Sequence, residues 1–359
     1  MTTQLAHIVA QANIQRLALI GLSKNVGKTT TTNHLLETLP GEHLYRTEEM
    51  ALTSLGLDGE AVDALTGLPK PRYIPQEGLL VATTLALLRQ AQDIEAESLE
   101  QLPGRTALGP VVIARTRRPG RLTIAGPTLL REIRFALERL SVYGARLSMV
   151  DGAINRLGAA APGITEACIL CTGTSAGATP ALVARRTADA LARLTIPVSP
   201  WGDVYRNSFP LARLLAFAPS DTTSIEQCLL DSVDPTDEAA WIARKLQERP
   251  ESIFLLRGAF TEELSRVLLA QLPLPSSHFG ELVIGDGTKV FCHSVVLQRL
   301  AARGLHVRVA TPIRVLALTM NPYTPEHTCT PERLLEALVQ ELSAGHPPII
   351  DVVSGICSS

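Results

Sequence analysis

The residues with the clearest chemical meaning lie in one short segment. Residues 21–29 read GLSKNVGKT, so that Gly27, Lys28 and Thr29 follow one another directly. Such a glycine lets main-chain N–H groups come close to a phosphate, the lysine ammonium reaches β- and γ-phosphates, and the threonine hydroxyl ligates Mg²⁺. The segment therefore predicts a loop that binds a nucleoside triphosphate. We expect the contacts from Ser23, Lys24, Asn25, Val26, Gly27, Lys28, Thr29 and Thr30.

An acidic group is also needed to hold Mg²⁺ and to orient water. Asp151 follows the apolar residues 147–150, and a carboxylate at the carboxyl end of a parallel strand lies beside such a loop. Asp58 lies in a polar, glycine-containing segment of the kind that holds Mg²⁺ or water near a γ-phosphate, and Glu60 offers the same chemistry. A turn or cap residue is the alternative for Asp151, and an ordinary surface loop is the alternative for Asp58. The candidate catalytic residues are Lys28, Asp58 and Asp151, and the candidate metal ligands are Thr29, Asp58 and Asp151.

Two further features concern recognition of the nucleotide base and stabilisation of the negative charge on the phosphates. Residues 172–177 (TGTSAG) follow a strand pattern and are expected to border the base or a substrate. The chain has no Asn-Lys-x-Asp segment of the kind that selects guanine, which favours ATP over GTP. Four arginines are candidates for stabilising charge on the phosphates, and the sequence does not choose among them: Arg46, Arg72, Arg115 and Arg156.

The elements that must position these residues alternate between strand and helix patterns. Strands are predicted at residues 16–21, 111–116, 122–125, 147–150, 168–171, 251–258, 281–285, 306–310 and 349–353. Helices are predicted at residues 28–39, 79–91, 128–143, 180–194, 261–271, 294–303 and 331–344, the last with Thr330 as its N-cap. Residues 111–116 and 122–125 have the pattern of a hairpin that turns at residues 118–120. The alternation predicts an α/β fold with a mostly parallel sheet flanked by helices.

The pattern weakens after about residue 197, which predicts two domains. We expect a nucleotide-binding domain over residues 1–198 and a smaller C-terminal α/β domain over residues 199–359, with a regulatory or partner-binding role.

The net charge of −2 gives no reason to expect a nucleic-acid partner. No apolar run approaches the roughly 20 residues of a membrane span, and no signal peptide is evident. The six cysteines are scattered, so neither disulfides nor a zinc site is expected, and the cytoplasm is the expected compartment.

The loop departs from the common pattern in its spacing, because five residues separate Gly21 and Gly27 where four are usual. It resembles the G-x-x-x-x-x-G-K-T loop of dethiobiotin synthetases, which are P-loop NTPases of the class that includes nitrogenase iron protein and the septum-positioning ATPases. Residues 150–153 (VDGA) resemble their V-E-G-A segment, which implies that Asp151 serves the metal. That class often carries an early second lysine that contacts a partner subunit's nucleotide. Lys24 is the candidate, one position from the usual place, and the resemblance leaves room for a homodimer.

A narrower resemblance rests on residues 21–30, 52–60, 70–72, 78–83 and 150–156, which span the first half of the chain. Together they look like the ATPase subunit of the lysine 5,6-aminomutase reactivase. The resemblance implies a chaperone-like ATPase that opens an aminomutase and exchanges its damaged cobalamin. The implied partners are a second reactivase subunit and the cobalamin-dependent aminomutase, and the implied cofactors are ATP and Mg²⁺.

Two other functions remain open from the sequence. A small-molecule ligase of the dethiobiotin synthetase type would need an acid or amine acceptor for rapid ATP turnover. A non-catalytic nucleotide sensor would bind ATP without turnover, and its output would survive replacement of Asp58 and Asp151 by alanine. A reactivase differs from both, since it would hydrolyse ATP slowly alone and respond to a protein partner.

Overall fold

The structure is a computed structural model that describes residues 4–56, 72–91, 93–104, 106–152, 157–208, 212–228, 234–272, 280–324 and 328–358. In chain order its helices and strands are α1 (Gln4–Gln11), β1 (Arg16–Gly21), α2 (Lys28–Gly41), β2 (Met50–Leu55), β3 (Leu80–Thr84), α3 (Leu85–Gln90), β4 (Glu95–Gln101), β5 (Val111–Arg118), α4 (Leu130–Val142), β6 (Leu147–Gly152), β7 (Ala167–Gly173), α5 (Pro180–Leu194), α6 (Gly202–Asn207), β8 (Leu214–Ala218), β9 (Asp221–Gln227), α7 (Pro235–Glu248), β10 (Ile253–Leu256), α8 (Glu262–Gln271), β11 (Gly280–Ile284), α9 (Ser294–Ala302), β12 (Leu305–Val309), β13 (Val315–Asn321), α10 (Pro331–Glu341) and β14 (Ile349–Ile350).

The chain divides into two compact units. The first comprises Met1–Ala188 together with Arg314–Ser359, and the second comprises Asp189–Ile313. This division differs from the predicted domains, residues 1–198 and 199–359. The physical reason is that β13 pairs in parallel with β7, and β14 pairs with β13, so the C-terminal strands belong to the sheet built by the N-terminal half.

The first unit is an α/β structure built on a large mixed sheet. Among the described residues its nine strands lie in the order β14-β13-β7-β1-β6-β2-β3-β5-β4, and of these all run parallel except β5, which is antiparallel to β3 and β4. Strand β1 is central and almost wholly buried. Leu17 and Leu19 of β1 pack in one apolar cluster with Leu35 and Leu39 of α2. Helix α4 packs against β2, β3 and β6, so the predicted α/β class is confirmed.

Two elements of the first unit differ from the sequence prediction. Residues 79–91, predicted as one helix, form strand β3 followed by the short helix α3. Every residue of β3 is buried, and a short apolar run of this kind has the same sequence pattern in a buried strand and a buried helix. The predicted hairpin is also wrong, because β5 pairs with β3 and β4, whereas Leu122 makes only an isolated bridge with Tyr73.

The ends of the helices agree more closely with the sequence prediction. Helix α5 spans the predicted residues 180–194. Thr330 caps α10, since its side chain accepts the Arg333 N–H. Helix α2 continues through Pro40 to Gly41, beyond its predicted end at residue 39, and the N–H groups of Glu42 and His43 close its last turn by donating to the Thr38 and Pro40 carbonyls. Within the described ranges, no helix combines the length and apolarity that crossing a membrane requires.

The second unit is a smaller α/β structure. Its five strands lie in the order β12-β11-β10-β8-β9, of which β10, β11 and β12 are parallel. Phe254 and Phe260 are fully buried and pack with Leu264 and Leu268 of α8. Strands β8 and β9 and helix α7 were not predicted, although α7 has a conventional start, since the Asp234 side chain accepts the Thr236 N–H.

Candidate functional site

The predicted strand and helix on either side of residues 22–27 are confirmed. Strand β1 ends at Gly21 and helix α2 begins at Lys28. Gly27 lies between loop and helix with φ 89°, in the left-handed region that favours glycine, and its carbonyl accepts the Thr31 N–H at 2.8 Å. A side chain at this position would force the chain into strained geometry at the start of α2. Residues 21–30, the candidate loop, therefore occupy a strand-loop-helix turn at the centre of the large sheet.

The candidate loop presents main-chain donors. Among the described residues, the N–H groups of Gly27, Lys28, Thr29 and Thr30 donate to no main-chain carbonyl. The first turn of any helix leaves such groups unsatisfied, and the aligned peptide dipoles add partial positive charge there. Ser23, Lys24 and Thr29 are partly exposed, Asn25 and Thr30 are exposed, and Val26 is buried. The loop can therefore accept an anionic group from solvent.

Lys28 folds back over the end of β1. A Cβ atom placed on Gly21 would lie 3.1 Å from Lys28 Cδ and 2.8 Å from Val26 Cγ2. The stem of Lys28 thus runs along Gly21 at the end of β1. A glycine is required at position 21 for this packing, although its spacing from Gly27 departs from the common pattern.

We expect Gly21→Ala to lower the free energy of unfolding by about 1–3 kcal/mol, because the added methyl group overpacks the contact with Val26 and Lys28. Urea denaturation measures the effect. Gly41→Ala is the matched control, since no atom lies within 4 Å of a Cβ placed there. A Gly21→Ala chain as stable as wild type would contradict this role for Gly21.

Two strands that end beside the candidate loop hold its main chain. Ser175, just after β7, donates its hydroxyl hydrogen bond to the Lys24 carbonyl at 2.6 Å. Asn321, at the end of β13, donates from Nδ2 to the Asn25 carbonyl at 2.8 Å. Residues 172–177 were predicted to border the base or a substrate, and Ser175 from this segment does contact the candidate loop. Asn321 was missed, because β13 itself was not predicted from its apolar run.

A small buried polar cluster lies beneath the start of α2. The Thr31 hydroxyl donates to Thr319 Oγ1 at 3.0 Å, and Cys171 Sγ lies 4.0 Å from Thr31 Oγ1. Burial raises the pKa of Cys171 to about 11, and that of Cys168 to about 12. Both thiols therefore stay protonated and unreactive at neutral pH. Cys168 and Cys171 are both free and buried.

Asp151 lies on β6, the strand next to β1. It is level with Leu19 of β1 on one side and with Ser54 of β2 on the other. The stem of Lys28 packs against Gly21 at the end of β1, and Asp151 is level with Leu19 of the same strand. Two of the predicted catalytic residues therefore lie at the ends of neighbouring strands. The Asp151 carboxylate also accepts a hydrogen bond from the Tyr73 hydroxyl.

The other predicted residues separate into three groups. Asp58, Glu60 and Arg156 lie outside the described residues. Arg46 forms ion pairs with glutamates of its own segment, and Arg115 donates to the main-chain carbonyls of Gly78 and Tyr143. Arg72 is exposed and directly precedes Tyr73, whose hydroxyl contacts Asp151.

In the second unit, a helix covers the sheet edge at the carboxyl ends of the parallel strands. Ligands of open parallel sheets bind beyond the carboxyl ends of the strands. At that edge, the Tyr205 hydroxyl of α6 donates to the Leu256 carbonyl at 3.1 Å, and Arg206 donates to the Ala310 carbonyl. Helix α6 thus occupies this edge, which leaves the candidate loop as the better site.

No grouping of three or more His, Cys, Asp or Glu side chains suited to a metal ion occurs among the described residues. Comparison with protein-family models, with curated proteins and with solved structures gave no match to this chain.

Proposed function

We propose that this chain binds ATP with Mg²⁺ at residues 21–30 and hydrolyses it. The observation that carries the proposal is the Lys28 side chain, which packs along Gly21 beside unsatisfied N–H groups at the start of α2, with Asp151 on the neighbouring strand. A polyphosphate needs concentrated positive charge and main-chain donors without bulky side chains between them. Residues 23–30 offer that combination.

The residues present also suit Mg²⁺. This ion prefers oxygen ligands, keeps several water molecules, and needs only one or two protein carboxylates together with substrate phosphates. The Thr29 hydroxyl and the Asp151 carboxylate would hold it, with Asp58 as the further candidate. When bound, Mg²⁺ neutralises charge on the phosphate oxygens and orients them. Lys28 would contribute its ammonium to the same phosphates, and the N–H groups of residues 23–30 would fix their position.

We further propose a reactivase role for this ATPase. Its partners would be a second reactivase subunit and a cobalamin-dependent aminomutase, and its compartment the cytoplasm, which agrees with six free cysteines. Nucleotide state can open a partner only if the ATP-bound and ADP-bound forms differ in affinity for its two conformations. The support for this role is that the segments around Gly27 and Asp151 resemble those of the ATPase subunit of the lysine 5,6-aminomutase reactivase.

A reactivation assay tests the role. We expect the wild-type chain, with its second subunit and ATP, to restore activity to an aminomutase whose cobalamin has been inactivated in turnover. Lys28→Ala should restore none, because binding of the triphosphate would be lost. Recovery that is equal with wild type and Lys28→Ala would contradict the role. ATP turnover that instead requires a small acid or amine would point to a ligase.

A further inference from the structure

Tyr73 lies against Asp151 in a fixed position. The side chain is only 6% exposed and packs in the main apolar cluster of the first unit. Its main chain exchanges two hydrogen bonds with Leu122, at 3.0 and 2.9 Å. Its hydroxyl donates to Asp151 Oδ2. Both the main chain and the hydroxyl of Tyr73 are therefore held in place. The phenol meets the Asp151 carboxylate from a fixed position.

Asn33 of α2 holds the main chain on both sides of Tyr73. Its Nδ2 donates to the Arg72 carbonyl at 3.1 Å, and its Oδ1 accepts the Ile74 N–H at 3.0 Å. One amide side chain thus brackets Tyr73 with two hydrogen bonds. Asn33 lies five residues after Lys28 in the same helix. The helix that begins at the candidate loop therefore also fixes the residue that contacts Asp151.

We propose that Tyr73 is a positioning residue for Asp151, and that Asn33 sets the position of Tyr73. The inference rests on the proposed function, in which Asp151 is a ligand of Mg²⁺. A hydrogen bond to one carboxylate oxygen fixes the rotation of the group, and such outer partners of metal ligands contribute strongly to metal affinity. The chain of contacts Asn33–Tyr73–Asp151 joins the phosphate-binding and metal-binding halves of the site through α2.

Tyr73→Phe tests the inference, because it keeps the buried ring and removes only the donor. The measurement is the affinity for Mn²⁺ of the intact chain saturated with a non-hydrolysable ATP analogue, read from the electron paramagnetic resonance signal of free Mn²⁺. We expect an affinity about 10-fold weaker than wild type, with metal-free binding of the analogue unchanged. Tyr205→Phe is the control, since it also removes a hydroxyl that donates a hydrogen bond, to the Leu256 carbonyl.

Asn33→Ala provides a second variant that does not depend on the stability of the core. Asn33 is only partly buried on α2, and alanine is the better helix former, so the variant keeps the helix and removes the two hydrogen bonds that bracket Tyr73. We expect its Mn²⁺ affinity to fall in the same direction as that of Tyr73→Phe. Wild-type Mn²⁺ affinity in both variants would overturn the positioning role of Tyr73 and Asn33, and the proposed function would still stand. A wild-type chain that binds neither the analogue nor Mn²⁺ would overturn the proposed function, and the inference with it.

Discussion

Replacing Lys28 by methionine is expected to slow ATP hydrolysis at least about 100-fold, because two charge-assisted hydrogen bonds to phosphate oxygens contribute about 1.5 kcal/mol or more each. Methionine retains an unbranched stem that can pack on Gly21, so the change removes the charge and spares most of the contact. The free energy of unfolding should change by less than about 1 kcal/mol. Steady-state release of inorganic phosphate measures the rate, and urea denaturation measures the stability.

Lys289→Met serves as the matched control, since it makes the same chemical change on a partly buried lysine of the second unit. We expect wild-type hydrolysis from this control. If Lys28→Met and Lys289→Met hydrolysed ATP equally well, the ammonium of Lys28 would have no role in turnover, and the assignment of residues 21–30 would lose its main support.

Replacing Asp151 by asparagine is expected to lower the turnover number by about 100-fold or more, because removing a group that organises charge at a reacting phosphate has effects of that size. The Mg²⁺ concentration that gives half-maximal rate should rise by about 10-fold or more. Asparagine retains an oxygen that can accept the Tyr73 hydroxyl, so the fold should persist. Hydrolysis measured over a range of Mg²⁺ concentrations reports both effects.

Asp203→Asn is the control for that experiment, because Asp203 is highly exposed and lies on α6 of the second unit. An Asp151→Asn chain with wild-type turnover and wild-type Mg²⁺ dependence would contradict the assignment of Asp151. In that case the carboxylate would have a structural role alone, as the acceptor of the Tyr73 hydroxyl.

Local sequence signals predicted the elements around the candidate loop well. An apolar run that ends in glycine predicted β1, and the helical pattern that starts at Lys28 predicted α2. Such signals depend on neighbours within a few residues. They fail where neighbours far along the chain decide the structure: β3 was predicted as a helix because complete burial hides the alternation of a strand. Strand β4 was missed because most of its side chains are exposed and three of them are glutamates, which suits an edge strand.

Long-range pairing explains the residues of the site that were missed. Thr319 and Asn321 contact the loop region across 288 and 296 residues of sequence, and Tyr73 contacts Asp151 across 78. No local pattern indicates which strand will lie next to β1. The same limitation explains the predicted domains, since the sequence alone does not show that β13 pairs with β7 after the intervening second unit.

The most direct test of nucleotide binding is a calorimetric titration of the intact chain with a non-hydrolysable ATP analogue in the presence of Mg²⁺. We expect saturable heat from the wild-type chain and an affinity at least about 100-fold weaker from Lys28→Ala, through the loss of charge-assisted contacts to phosphate. A wild-type chain that gives no heat of binding, or a Lys28→Ala chain that binds as tightly as wild type, would contradict a phosphate-binding role for this loop.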